Sequence, residues 1–262
     1  MPRLIDRGDV LIGRTPETLD LGIDYLTRRP GPDRLIADDG TYNAGWFESF
    51  DGELNLDQSS AFSIALHRWL HLSIDTPERF IVCNIADFVK AGNVALLIAD
   101  KRTGQFRHGS LSKLLPQNSV EVSEDGRCFS DPDTHSFIRV SADGERFEFS
   151  LNVEDLRLSG AATRAVGPTF HHVTRFHRGR GSLQFYGALR LEHGSLVIGQ
   201  HVHALPTGSL GTFDRTLGHQ RGVQAWNWIA AVGSATHVKS GRVAPMCVQI
   251  AKDRPLARPV VL

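Results

Sequence analysis

Residues 211–228 read GTFDRTLGHQRGVQAWNW, placing an aspartate, two arginines, a histidine and two tryptophans within one short segment. A carboxyl group with basic neighbours is a natural centre for proton transfer or for anchoring a polar group. Asp214 and His219 are therefore the candidate catalytic pair, and Arg215 and Arg221 the candidate ligand anchors. Trp226 and Trp228 alternate with Asn227, so on a strand both indole rings would lie on one face. Aromatic faces can bind an apolar molecule or steady a developing cation. Gly211, Gly218 and Gly222 would let the backbone turn sharply or approach a neighbour closely. The same residues would equally build a salt-bridged turn at a barrel floor, with the tryptophans as core plugs. On either reading the four charged or titratable groups should be buried and bonded to one another, because unpartnered burial is costly.

Other chemistry-bearing residues are more scattered. His201-Val202-His203 sets two imidazoles on one strand face, a spacing that some β-barrel metal sites use. Further ligands at a recognisable spacing are missing, so the expectation is no metal, with His201 and His203 lining a partly wet ligand site. His67 and His71 share a face with Trp69, another candidate ligand contact. No GxSxG element marks a nucleophile elbow. No GxGxxG or GxxxxGK[ST] element marks a nucleotide cofactor, and none is expected. Cys83 sits in the apolar run FIVCNIADF and reads as core.

The elements that must carry these residues are strands. In AFSIALHRWLHLSI, Phe62, Ile64, Leu66, Leu70 and Leu72 alternate with Ser63, Ala65, His67, Trp69, His71 and Ser73. FIVCNIADF, NVALLIAD and QFRHGSL follow, the last two around the turn Lys101-Arg102-Thr103-Gly104. Ala142-Asp143-Gly144 and Glu192-His193-Gly194 each suggest another hairpin turn. No stretch keeps a 3.6-residue apolar period. The pattern predicts an all-β, antiparallel chain that closes as a barrel or a strongly curved sheet. Three segments are expected: a mostly looped arm at 1–44, a first β unit at 45–165, and a continuing β unit at 166–262 that carries the Asp214–Trp228 element.

Composition restricts the function classes. Basic and acidic residues both number 29, so the basic bias of a nucleic-acid binder is missing. No apolar run is long enough to span a bilayer, and the first residues lack the apolar stretch of a secretory signal. Three distant cysteines make no disulfide framework, which points to a reducing, cytoplasmic setting.

From Arg178 to Trp228 the order Gly-Ser-Leu, Gly-Ala-Leu, His-Gly, Phe-Asp-Arg-Thr-Leu-Gly-His-Gln-Arg-Gly and Trp-Asn-Trp resembles a known group. It is the tandem lipocalin-like proteins of the carotenoid 1,2-hydratase (hydroxyneurosporene synthase-like) family and their bacterial relatives. RWLHLSIDTPERFIVCNIADF looks like that family's early strand pair. The family carries an Asp-His-x-Trp-Gly element followed by a Trp-x-Trp strand. Asp214 and Gly218 match it, whereas Arg215 and Leu217 stand where the family often has His and Trp. The resemblance spans roughly 45–250, and the family is usually longer. It implies a lipocalin-like barrel with the start of a second, and an apolar cavity for an isoprenoid or polyketide-like molecule. It further implies hydration, isomerisation or cyclisation without a redox cofactor, as by a lyase, isomerase or cyclase. Asp214 would be the acid, Trp226 and Trp228 the cation-facing rings, and His219 the group that positions water. A non-catalytic carrier of a lipid or secondary metabolite is the alternative.

After Trp228 the remaining residues would leave a strand edge and an apolar face to be hidden. A homodimer pairing these strands, or a hairpin folded back on the first barrel, would hide them, with the dimer preferred.

Overall fold

The fold was obtained as a computed structural model, which describes residues 3–7, 10–14, 30–47, 49–61, 63–114, 119–165, 169–176, 178–220, 226–236, 241 and 243–253. Its strands are β1 (Arg3–Arg7), β2 (Val10–Arg14), β3 (Gly45–Phe47), β4 (Leu66–Asp75), β5 (Arg79–Asp87), β6 (Ala91–Asp100) and β7 (Phe106–Leu114). Then come β8 (Glu121–Val122), β9 (Cys128–Asp131), β10 (Ser136–Val140), β11 (Arg146–Val153), β12 (Leu156–Arg164) and β13 (Phe170–Arg175). The last five are β14 (Gly181–Ile198), β15 (His201–Leu205), β16 (Leu210–His219), β17 (Trp226–Thr236) and β18 (Val243–Asp253). The fold is all-β and antiparallel, as the period-two patterning predicts.

Eleven strands run in the order β7-β6-β5-β4-β16-β14-β12-β11-β10-β9-β8, with β13, β15 and β3 attached around β14. β1 pairs with β2, and β17 with β18, as separate hairpins. The sheet is strongly curled. Leu70, Leu72, Ile81, Cys83, Ile85 and Leu96 on one side pack into one core with Phe129, Ile138, Phe147, Phe149 and Leu151 on the other. These side chains are close to fully buried, and each such residue contributes about 1.5–3 kcal/mol by leaving water. That burial drives the curl. The rings of Phe147 on β11 and Phe213 on β16 meet across the interior at 4.7 Å.

The two ends of the curled sheet are joined by a polar latch. Lys113 on β7 reaches Asp131 on β9 at 3.3 Å and Asp133 at 2.6 Å. Asp131, almost fully buried, also accepts hydrogen bonds from Ser119 Oγ (2.5 Å) and Thr134 Oγ1 (3.0 Å).

β14 is the strand that positions most of the site. Its first half pairs with β13 and β16, and its second half with β15, while β12 flanks its later residues. Glu192-His193-Gly194 does not turn the chain: β14 continues through it. The register against β12 slips between Ala161 and Ala162, which oppose His193 and Leu191. Glu192 is thus the extra residue of a β-bulge. A bulge accommodates turn-forming residues and bends the strand without ending it. The turns at Lys101–Gly104 and Ala142–Gly144 do close hairpins, with Gly104 and Gly144 at φ +70° and +75°. Phe62 lies outside the described residues, and the expected strand from 62 begins only at Leu66, after a 3-10 turn over Ser63–Ala65. Across the expected boundary near 165, β12 pairs directly with β14. Among the described residues no helix is long and apolar enough to cross a membrane.

Candidate functional site

Leu210–His219 is one uninterrupted strand, so its side chains alternate between the two faces of the sheet. Phe213, Arg215, Leu217 and His219 point to the inner, core-bearing face. Thr212, Asp214 and Thr216 point to the outer face. This alternation separates the residues that the sequence groups together. Asp214, Arg215 and His219 are not bonded to one another, contrary to the mutual cluster expected. Gly211 and Gly218 sit within the ladder, opposite Leu189 and Ser182, and make the close approach rather than the turn: an added Cβ would meet the Ser73 and Gly181 carbonyl oxygens. Gly222 lies outside the described residues.

On the outer face the register aligns two cross-strand rows. One runs Ala86, Trp69, Thr216, Gln184, His172 and Trp46 across β5, β4, β16, β14, β13 and β3. The other runs Asn84, His71, Asp214 and Tyr186. Asp214 stands where the rows meet. Thr216 Oγ1 donates to its Oδ1 at 2.9 Å, and Trp69 Nε1 points at its Oδ2 at 3.4 Å. The indole of Trp46 stacks on the imidazole of His172 at 4.2 Å.

These rows are polar and partly buried. Asp214 and His172 are each 9% exposed and Thr216 is essentially inaccessible, whereas Trp46, Trp69, His71, Asn84, Gln184 and Tyr186 are half-buried. Burial penalises the charged form of every group there. It lifts the Asp214 carboxyl to about 7, against which the Thr216 and Trp69 hydrogen bonds pull only partly. Burial also lowers His71 and His172 to about 4, keeping both imidazoles neutral. The phenol of Tyr186 is pushed up by burial and by the nearby Asp214. Near neutral pH the site therefore offers one carboxyl poised between its two forms, among neutral imidazole, phenol, amide and indole groups. Such a carboxyl can give a proton and take it back.

The inner face holds two other sequence candidates, His219 and Arg215. His219 is buried. The Tyr42 hydroxyl accepts from its backbone N–H at 2.9 Å and lies 2.8 Å from its Nδ1. Burial lowers this imidazole to about 4. Arg215 lies over the Phe185 ring at 3.8 Å. His201 is exposed and His203 half-buried on β15, opposite Ile198 and Leu196 at the far end of β14 from Tyr186. Arg221 lies outside the described residues, as do the side chains of Trp226 and Trp228, whose backbone opens β17. Among the described residues no three metal-binding side chains gather.

Sequence reasoning singled out Asp214 and Trp69 and missed Tyr186, Gln184, His172 and Trp46. Those four come from other strands, and only the pairing register brings them onto the face that carries Asp214, with Tyr186 directly opposite it.

No family model matches the chain, and no curated protein matches it. Among solved structures, a protein of Nitrosomonas europaea assigned as AttH superposes at TM-score 0.48 and 12% identity, over 80% of this chain and 71% of its own. Kievitone hydratase from Nectria haematococca superposes at TM-score 0.36 and 14% identity, over 74% of this chain and 63% of its own. At these scores neither likeness bears on the chemistry of the site.

Proposed function

We propose that this protein is a cofactor-independent acid–base catalyst of hydration, isomerisation or cyclisation, acting on an apolar small molecule of isoprenoid or polyketide-like class. The observation that carries this reading is the buried Asp214 carboxyl, lifted to about 7 where two rows of uncharged polar and aromatic side chains meet. In a hydration, Asp214 donates its proton to one alkene carbon and leaves a cation on the other. Water adds to that cation, and its surplus proton returns to the Asp214 carboxylate. The balance is alkene plus water to alcohol, with no change of oxidation state in the protein. In an isomerisation the cation instead loses a neighbouring proton. The indole of Trp69 lies beside the carboxyl and suits a cationic intermediate.

The test begins with organic extraction and native mass spectrometry of the purified chain, to find an apolar compound that co-purifies. Incubation of that compound in deuterated water follows. Deuterium on carbon in the wild type, lost in Asp214→Asn with binding retained, supports catalysis. Binding without exchange in either protein favours the carrier instead. Self-association through the terminal strands belongs to the same proposal, and light scattering after size exclusion should give twice the chain mass. A strict monomer at high concentration removes that part.

A further inference from the structure

On the inner face one cross-strand row differs from the apolar core around it. It runs Leu70, Arg215, Phe185, His171 and Phe47 across β4, β16, β14, β13 and β3. Arg215 and His171 flank Phe185, with the guanidinium over the ring at 3.8 Å and the imidazole meeting it edge-on at 4.9 Å. Both are poorly satisfied. The one side-chain hydrogen bond of Arg215 among the described residues is a long one, 3.5 Å to the Gly126 carbonyl. No carboxylate among the described residues forms an ion pair with it. Asp125 attracts Arg215 through space without forming an ion pair with it, and its Oδ1 already accepts from Ser123 Oγ and the Arg127 N–H. Nδ1 of His171 is buried and has no partner among the described residues.

A guanidinium has five N–H donors, and an apolar environment makes each unfilled one costly. Burial and the nearby Arg127 already lower Arg215 to about 9. Arg127 and Arg164 add positive potential around the row, offset in part by Asp125 near Arg215 and Asp51 near His171. An anion placed there would fill the free donors and meet His171 Nδ1–H. The walls decide which anion. Leu70, Phe185 and Phe47 are apolar and at most 6% exposed. A strongly hydrated phosphate dianion would lose most by entering, and a carboxylate on an apolar body least. Arg215 and His171 themselves keep partial exposure, which gives such a molecule an approach.

We propose that Arg215 and His171 form a subsite for the carboxylate of an apolar organic acid, on the sheet face opposite Asp214. The proposal is independent of the acid–base reading. It is tested by calorimetry on the full chain with two probe pairs: octanoate against 1-octanol, and benzoate against benzyl alcohol. At least one acid should bind about tenfold or more tighter than its alcohol, the scale of a charge-assisted hydrogen bond. Arg215→Met should remove that preference and leave alcohol binding within about twofold. Asp214→Asn should leave it unchanged, which separates the two sites. No preference for either acid in the wild type overturns the proposal without any variant. A preference that survives in a folded Arg215→Met protein overturns it too.

Discussion

Asp214 is a titratable group whose fold raises its proton affinity, and this fixes how its stability contribution varies with pH. In the folded chain it keeps its proton to about 7, against 3.8 for an ordinary aspartate. Between those values the folded state binds the extra proton, so rising pH removes stability, and the loss is complete above about 7. The lowered imidazoles of His71, His172 and His219 act oppositely, removing stability as pH falls from 6.5 toward about 4. Asn at position 214 cannot titrate and leaves the histidines in place. The melting temperature of Asp214→Asn relative to wild type should therefore climb from pH 5 to pH 8. Over that pH range the change is on the order of 3 kcal/mol. A flat difference would mean that the carboxyl titrates normally. Thr216→Val removes a donor to the charged carboxylate. It should shift that curve to higher pH and cost about 1 kcal/mol. The residue types at Asp214 and Trp69 were legible in the sequence. Their partners were not, because Tyr186, Gln184 and His172 acquire meaning only from register.

At the scale of elements, alternation along β16 sorts one polar segment into two unrelated environments. The sequence left the glycines of GTFDRTLGHQRG open between turns and close approach; 210–219 forms a ladder with both neighbours, and Gly211 and Gly218 serve close approach. Several glycines here serve close packing. Gly187 lies opposite Phe213, and an added Cβ would sit 2.5 Å from that ring's Cε1. The ring is boxed in by Phe147, so it cannot swing away freely. Gly187→Ala should destabilise the fold by about 1–3 kcal/mol, measured by urea denaturation with an unchanged slope. A neutral substitution would show that the β14–β16 contact is looser than the packing implies. The strand pattern of 66–164 was readable because alternation survives there, whereas the bulge at Glu192 looked like a turn for want of any signal for β14 continuing.

Across the whole molecule the curl depends on joining β7 to β9, strands near opposite ends of the sheet. Apolar burial brings the ends together, but it is non-directional and does not set their register. The Lys113–Asp131–Ser119–Thr134 network is directional and sits where the ends meet. Asp131→Ala leaves the Lys113 ammonium with Asp133 and Ser119 Oγ, and leaves the Ser119 hydroxyl without its carboxylate acceptor. It should cost about 2–3 kcal/mol in thermal or denaturant unfolding. An unaltered transition would mean that the core alone closes the sheet. Composition and periodicity made the all-β class and its curvature legible, but not this latch, since a lysine and an aspartate on non-adjacent strands carry no pairing signal. Proton donation by this protein depends on the protonation of one carboxyl, that of Asp214. Its side-chain carbon can be followed by NMR with 13C-labelled aspartate, assigned by comparison with Asp214→Asn. The predicted result is a single titration for Asp214 near pH 7, with the protonated form dominant at pH 6. A midpoint at or below the ordinary 3.8 would contradict the proton-donor reading.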